Sequence, residues 1–289
     1  MKTYLEVEGL GNTIDGFTLK DISFEVCEGE IVLLGGGNGA GKTSLLETLC
    51  FVEKPTEGRI NFFDKQVFDG SLKKKDLRDI KTHIGVQFQG DSLFKNLTVK
   101  ETFKLFFENY EFDDLSEVIF GCPFLEDVLE KRISKLSKGK SQLVKFILSI
   151  INDPKMVFLD EPVSTLDGDS RRWVYEKIKE MRSEGTSFLI TLNDMWTIGD
   201  ISNRLITLVD GGIYDVVDDF FDYYKGSLVK IPIEEDIDEI RDKAWVLKIV
   251  QEDEYYKVYS ELSIKSIIGN KEIPYFEVRN VKLRDFSPG

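Results

Sequence analysis

Residues 35–44, GGGNGAGKTS, combine glycines, a lysine and hydroxyl side chains at a spacing that suits phosphate binding. In such a loop the glycines let consecutive backbone N–H groups curl around phosphate oxygens, Lys42 reaches the β and γ groups, and the Thr43 hydroxyl meets Mg²⁺. The alternative is a tight strand-to-helix connection without a ligand. We expect the nucleotide-contacting residues to be Gly36, Gly37, Asn38, Gly39, Ala40, Gly41, Lys42, Thr43 and Ser44.

Two adjacent carboxylates follow a second apolar run, KMVFLDEP at 155–162. This run places Asp160 and Glu161 at the end of a buried strand, where open α/β sheets have their ligand sites. An aspartate there holds Mg²⁺, directly or through water, and an adjacent glutamate polarises an attacking water for in-line displacement at the γ-phosphate. Two solvated carboxylates are the alternative. Taken with the loop, the pair predicts a site for a nucleoside triphosphate.

The segments around these residues predict an α/β fold, a P-loop NTPase core with a mainly parallel sheet. Near-continuous apolar runs typical of buried parallel strands lie at 30–35, 155–162, 186–192 and 203–212. Two alternating stretches, 2–10 and 17–30, predict an N-terminal antiparallel β-subdomain.

Between about 90 and 152 helical periodicity replaces the β signal, which predicts a helical insertion. Its helices are expected at 99–110, 124–133 and 140–153. After Gly212 the pattern changes to an acidic segment at 234–242 and to strand, helix and strand candidates at 245–250, 252–262 and 275–283. We therefore divide the chain into a nucleotide-binding domain, 1–212, and a small α+β C-terminal appendix, 213–289.

Composition favours a protein that stays in water. The 289 residues are 42% hydrophobic and 31% charged, which is ample for a packed core. A net charge of −14 argues against nucleic acid as the main partner. The cysteines Cys27, Cys50 and Cys122 fit neither a metal pattern nor a disulfide framework and suggest reduced thiols in a cytoplasmic protein. No apolar run reaches the roughly 18 residues of a membrane span, and we see no signal peptide.

Further motifs, in a fixed order, make residues 3–212 resemble the nucleotide-binding subunit of ATP-binding cassette (ABC) transporters. Gln89 matches the glutamine loop that touches Mg²⁺ and moves with the helical subdomain. LSKGK, 136–140, matches the family signature, and STLDGDSRR, 164–172, matches the loop whose aspartate, here Asp167, crosses the dimer interface. Glu161, followed by proline, corresponds to the catalytic glutamate.

The resemblance implies how the protein works. ATP and Mg²⁺ would be the cofactors, with Thr43, Gln89 and Asp160 at the metal. In a head-to-tail dimer, of two copies or with a homologous cassette, Ser137 and Gly139 would face the γ-phosphate held by the other subunit. A separate transmembrane permease subunit would insert a helix into a groove formed by Gln89 and the helical insertion. The protein would then be cytoplasmic, peripheral at the inner face of the cell membrane.

The sequence departs from the family pattern at three places. Lys138 and Lys140 replace the glycine and glutamine of the commonest signature, and lysine at the first of these positions is compatible with drug- and antibiotic-export type cassettes. The aromatic residue that usually stacks on adenine is missing, because Thr13 or Ile14 aligns there; Phe17 is the nearest substitute, or else a core residue. Asn193 stands where the family has its switch histidine, and the single histidine, His83, cannot align there.

Asn193 completes the predicted catalytic set with Glu161. An asparagine amide donates a hydrogen bond but takes up no proton, so binding should survive and turnover should be slow. Two other functions stay open at this stage. One is a soluble cassette acting on ribosomes or DNA, and the other is a module that binds ATP with little or no hydrolysis.

Overall fold

The computed structural model describes residues 2–14, 16–67, 74–90, 93–107, 122–191, 201–218, 227–232, 246–251, 255–260 and 277–280. The chain divides into two compact units, one of Met1–Asn193 with Ile206–Tyr214, the other of Asp194–Leu205 with Asp215–Gly289. The domain boundary after residue 212 stays a prediction.

The strands, in chain order, are β1 (Thr3–Ile14), β2 (Phe17–Cys27), β3 (Ile31–Gly35), β4 (Glu57–Phe62), β5 (Lys65–Gln66), β6 (Ile84–Gln87), β7 (Met156–Asp160), β8 (Ser187–Thr191), β9 (Arg204–Val209), β10 (Gly212–Asp218), β11 (Ser227–Pro232), β12 (Val246–Gln251), β13 (Tyr255–Ser260) and β14 (Glu277–Asn280). The α-helices are α1 (Lys42–Leu49), α2 (Lys74–Thr82), α3 (Val99–Phe107), α4 (Lys138–Ile150) and α5 (Gly168–Ser183).

The first unit is built on two sheets. The antiparallel sheet has the order β2-β1-β4-β5, and the larger sheet has the order β10-β9-β3-β8-β7-β6. Within the larger sheet β3, β8, β7 and β6 pair in parallel. Every residue of β3, β7 and β8 is buried, which is why these strands read as unbroken apolar runs. The predicted P-loop core and antiparallel subdomain are therefore confirmed.

The helical insertion differs from its sequence-based outline in one segment. Residues 124–133 were expected to form an α-helix, and this is wrong: the chain forms two short 3₁₀ turns at Glu126–Val128 and Ile133–Lys135. Leu125, Val128 and Ile133 are buried, a spacing that mimics helical periodicity. An isolated bridge between Thr98 and Arg132 ties the chain between the two turns to the residue just before α3.

The appended region contains a four-stranded antiparallel sheet of order β12-β13-β11-β14. The helix expected at 252–262 is therefore wrong where the structure describes it, because Tyr255–Ser260 is the strand β13. This strand pairs on one side with β11 and on the other with β12. The acidic segment 234–242 lies outside the described residues.

Candidate functional site

The glycine-rich loop connects β3 to α1 and wraps around the side chain of Lys42. The Lys42 Nζ donates to the carbonyl oxygens of Gly36 at 2.8 Å and Gly37 at 3.0 Å, and the side chain is largely buried. Burial lowers the pKa of Lys42, while the negative charges of Glu161 and Asp160 raise it. The Lys42 ammonium group thus lies inside the loop, within the electrostatic influence of the two carboxylates.

The first turn of α1 fits a phosphate group. No side chain among the described residues caps this helix, whose N-cap, Gly41, has a left-handed backbone with φ of 103°. The first backbone N–H groups of a helix have no intrahelical acceptor, and the helix dipole favours an anion next to them. The uncapped turn and the adjacent Lys42 are the donor set that a triphosphate requires.

Thr43 and Asp160 meet although 117 residues separate them. The Thr43 hydroxyl donates to Oδ2 of Asp160 at 3.0 Å, and the Thr191 hydroxyl donates to Oδ1 of the same carboxylate. Within the described part of the chain, no cluster of three or more His, Cys, Asp or Glu side chains could hold a metal. Mg²⁺ needs none, because it typically takes one or two protein oxygens together with phosphate oxygens and waters. Thr43 and Asp160 fit that requirement.

Glu161 follows β7 in a strained backbone conformation that the surrounding residues hold. Its φ is 46°, uncommon for a residue with a side chain. The Glu161 N–H donates to Oγ1 of Thr191 at 3.0 Å, and its carbonyl oxygen accepts from Nε2 of Gln142 at 2.9 Å. Sequence reasoning missed both partners. Thr191 carries a weak signal, as a polar residue near the end of an apolar run.

Gln89, Ser137 and Glu161 line a single cavity of about 620 Å³. Gln89 lies just beyond the end of β6, as Glu161 lies just beyond the end of the neighbouring strand β7. Among the described residues, no hydrogen bond joins Gln89 to Thr43 or Asp160. The structure therefore brings Gln89 to the cavity of the glutamate, while its predicted role at the metal stays a prediction.

Ser137 is the N-cap of α4. Its Oγ accepts from the backbone N–H of Lys140 at 3.2 Å. A Cβ on Gly139 would meet the carbonyl oxygen of Thr165 at 3.0 Å, so this glycine permits the close approach of α4 to the segment after Glu161. The neighbouring Lys138 is exposed, which fits its replacement of the usual glycine.

Asp167 has a local structural role in addition to the one predicted for it. Its side chain is the N-cap of α5 and accepts from the backbone N–H of Ser170 at 2.9 Å. That hydrogen bond lowers the pKa of Asp167. Its predicted reach across a dimer interface stays a prediction. Asn193 lies outside the described residues, and His83 contacts the carbonyl of Asp79 and the ring of Phe63.

The ring of Phe17 packs against the phosphate loop. A Cβ on Gly41 would lie 2.6 Å from this ring, and one on Gly211 would lie 3.3 Å from it. The ring also joins the core cluster that contains Leu19 and Leu45. Of the two roles left open by the sequence, this geometry favours packing over stacking on a base.

We expect Phe17→Ala to raise the dissociation constants of ATP and of inorganic triphosphate by the same factor, up to about tenfold, which corresponds to 1.4 kcal/mol of binding free energy. The reason is that loosening the loop affects phosphates and not the base. Phe24→Ala, which removes another partly buried ring of the same cluster, is the matched control and should leave both dissociation constants unchanged. An effect on ATP alone would assign the ring to the base.

The fold and the site define a P-loop nucleotide-binding protein. Residues 19–164 match the family model described as ABC transporter. The phosphonates import ATP-binding protein PhnC 2 of Oceanobacillus iheyensis is 33% identical over 230 residues, which cover 73% of this chain and 89% of that protein. The chain belongs to the ABC transporter family and is an ATP-binding subunit, in a family of ATPases.

Two further relatives carry similar names. The putative hemin import ATP-binding protein HrtA of Staphylococcus aureus is 32% identical, over 72% of this chain and 94% of its own length. The spermidine/putrescine import ATP-binding protein PotA of Mycoplasma capricolum is 30% identical over 73% of this chain, which spans only 60% of that relative. All three are import proteins by name, so the export-type subtype is not confirmed.

Solved structures agree with the fold. A dimeric bacterial ABC transporter cassette superposes with a TM-score of 0.66 at 23% identity, covering 74% of this chain and 98% of that one. A dimeric cassette bound to ADP and phosphate gives a TM-score of 0.65 at 22% identity, over the same shares of both chains. In the described part of the chain, no helix has both the length and the apolar character needed to cross a membrane.

Proposed function

We propose that this chain binds MgATP in the loop at 35–44, hydrolyses it in a head-to-tail dimer, and thereby moves a separate membrane-spanning subunit. The observation that carries the proposal is the convergence of Lys42, Thr43, Asp160 and Glu161, which come from two distant segments of the chain. The charges of Asp160 and Glu161 act on Lys42, whose pKa they raise, and Thr43 donates to Asp160 at 3.0 Å.

Each residue has a distinct task in this proposal. The loop N–H groups and Lys42 hold the phosphates, and Thr43 and Asp160, with Gln89, hold Mg²⁺. Bound Mg²⁺ supplies positive charge that stabilises the reacting phosphate. Glu161 orients the attacking water and accepts its proton, and the hydrogen bonds made by its main-chain N–H and carbonyl oxygen fix its backbone at the end of β7.

The second half of each site comes from the other subunit. Ser137 and Gly139 begin a helix whose N-terminus favours an anion, and Asp167 lies at the N-terminus of α5. The triphosphate of one subunit is then the ligand of the signature of the other. ATP joins the two subunits and hydrolysis releases them, with two sites related by the two-fold axis.

The membrane partner is proposed to dock beside Gln89. Phe94 is 57% exposed, next to Leu93 and Lys95, which line the same cavity as Gln89. A large apolar side chain in solvent beside a cavity suits a helix from another subunit. The chain would thereby be peripheral at the inner face of the cell membrane.

The catalytic part of the proposal predicts slow ATP turnover, and the variant Asn193→His tests it. Asn193 replaces a side chain that donates a hydrogen bond to the γ-phosphate and helps to hold water and glutamate in line. Loss of such a contact costs on the order of 3 kcal/mol in the transition state, or about a hundredfold in rate. We expect Asn193→His to raise the hydrolysis rate at saturating MgATP by up to that factor, while the dissociation constant of ATP changes no more than about threefold.

Phosphate release and equilibrium binding, measured on both forms, decide the matter. A natural protein already as fast as its Asn193→His variant would make Asn193 a competent replacement. Absence of turnover in both forms, with the membrane partner present, would make the chain a module that binds ATP without hydrolysing it.

A further inference from the structure

Helix α4 carries polar side chains on the face that it buries. Gln142 and Lys145 lie three residues apart, hence on one side of the helix, and are only 7% and 8% exposed. Lysine side chains are rarely buried, because removing an ammonium group from water is unfavourable unless hydrogen bonds replace that water. The fold must therefore supply acceptors for Lys145.

Two main-chain carbonyls that flank Gln89 are among these acceptors. The Nζ of Lys145 donates to the carbonyl oxygen of Gly90 at 3.1 Å and approaches that of Phe88 at 3.4 Å. An ammonium group has three donors and can engage both oxygens together. Lys145 thus fixes the backbone on either side of Gln89.

Gln142 makes a similar contact to a main-chain carbonyl, at the end of the neighbouring strand β7. Its amide donates to the carbonyl oxygen of Glu161, so neighbouring residues of α4 hold the segments that follow β6 and β7. The same helix begins at Ser137, in the signature. A displacement of α4 would move the main chain at Gln89 and at Glu161 together.

We propose that Lys145 is a positioning residue that sets the location of Gln89 through the carbonyls of Phe88 and Gly90 and links it to the motion of α4. The inference rests on the proposed function, since it takes Gln89 to act in MgATP hydrolysis. Lys145 touches no reacting atom. Its effect on turnover is exerted entirely through Gln89.

A double-mutant cycle separates this role from ordinary stabilisation. Lys145→Met keeps the apolar stem and removes the donors, and is expected to lower turnover about tenfold, the lower end of what loss of an outer-sphere partner costs. Gln89→Ala should lower it at least as much. The double variant should be no slower than Gln89→Ala alone, because Lys145 has nothing left to position. Lys177→Met, at a partly exposed lysine of α5, is the matched control and should leave turnover unchanged.

A second measurement does not depend on turnover. Hydrogen exchange of the backbone amides at 88–90, without nucleotide, should rise at least about tenfold in Lys145→Met, while exchange in β3 stays unchanged. If Lys145→Met does not fold, Lys145→Gln replaces it in both experiments, since its shorter amide cannot reach both carbonyls.

The outcomes separate the inference from the function on which it rests. Equal turnover of Gln89→Ala and the natural protein would remove the assigned role of Gln89, and the inference with it. A slow Gln89→Ala with additive losses in the double variant would overturn the inference alone. Unchanged exchange at 88–90 in the lysine variant would overturn it as well.

Discussion

Lys42→Ala is expected to raise the dissociation constant of ATP about a hundredfold or more. The ammonium group is the single point charge in the loop, and a hydrogen bond to a charged group contributes up to about 3 kcal/mol, which corresponds to roughly a hundredfold in affinity. The substitution also removes the hydrogen bonds from Nζ to the carbonyl oxygens of Gly36 and Gly37, which stabilise the loop in the absence of nucleotide. Equilibrium binding of labelled ATP measures the change.

Lys20→Ala is the matched control, because Lys20 is exposed on β2 and its backbone N–H contact to Gly211 does not involve its side chain. This control should bind ATP as the natural protein does. Unchanged affinity in Lys42→Ala would show that the loop does not hold the phosphates.

Glu161→Gln is expected to lower turnover about a thousandfold and to leave ATP binding intact. An amide of the same shape accepts no proton, and a general base contributes roughly a hundred- to ten-thousandfold. The geometry should survive, since Thr191 and Gln142 hold this residue by its main chain, which the substitution does not alter. Glu180→Gln, on the exposed side of α5, is the control. Undiminished phosphate release by Glu161→Gln would assign the base elsewhere.

The core of the fold was predictable because its signals are local. A strand buried on both faces must be apolar throughout, as β3, β7 and β8 are, and a phosphate loop must have its glycines and lysine at fixed spacing. The predictions of secondary structure were wrong where residues distant in the sequence determine whether a segment forms a helix or a strand. Tyr255–Ser260 forms a strand because β11 and β12 pair with it on both sides, and no local pattern reveals such pairing.

In the candidate site, too, the features with local signals were predictable and the tertiary contacts were not. Asp160 follows from its place at the end of a strand, but its contacts with Thr43 and Thr191 arise from tertiary structure. The hydrogen bonds from Gln142 and Lys145 to main-chain carbonyls could not be predicted from the sequence. Every residue has such a carbonyl whatever its side chain, so no residue type marks the acceptor. Sequence motifs thus identified the side chains that are proposed to meet the nucleotide but not the residues that hold the backbone around them in place.

The molar mass of Glu161→Gln in solution tests the shared, ATP-closed site most directly. Light scattering at saturating MgATP should give twice the 33.2 kDa of the chain, and with ADP the mass of one chain. The double variant Lys42→Ala with Glu161→Gln, at the same MgATP concentration, should remain a single chain under both conditions, because its loop binds ATP too weakly to join the subunits. A single-chain mass for Glu161→Gln with ATP demonstrably bound would contradict the account.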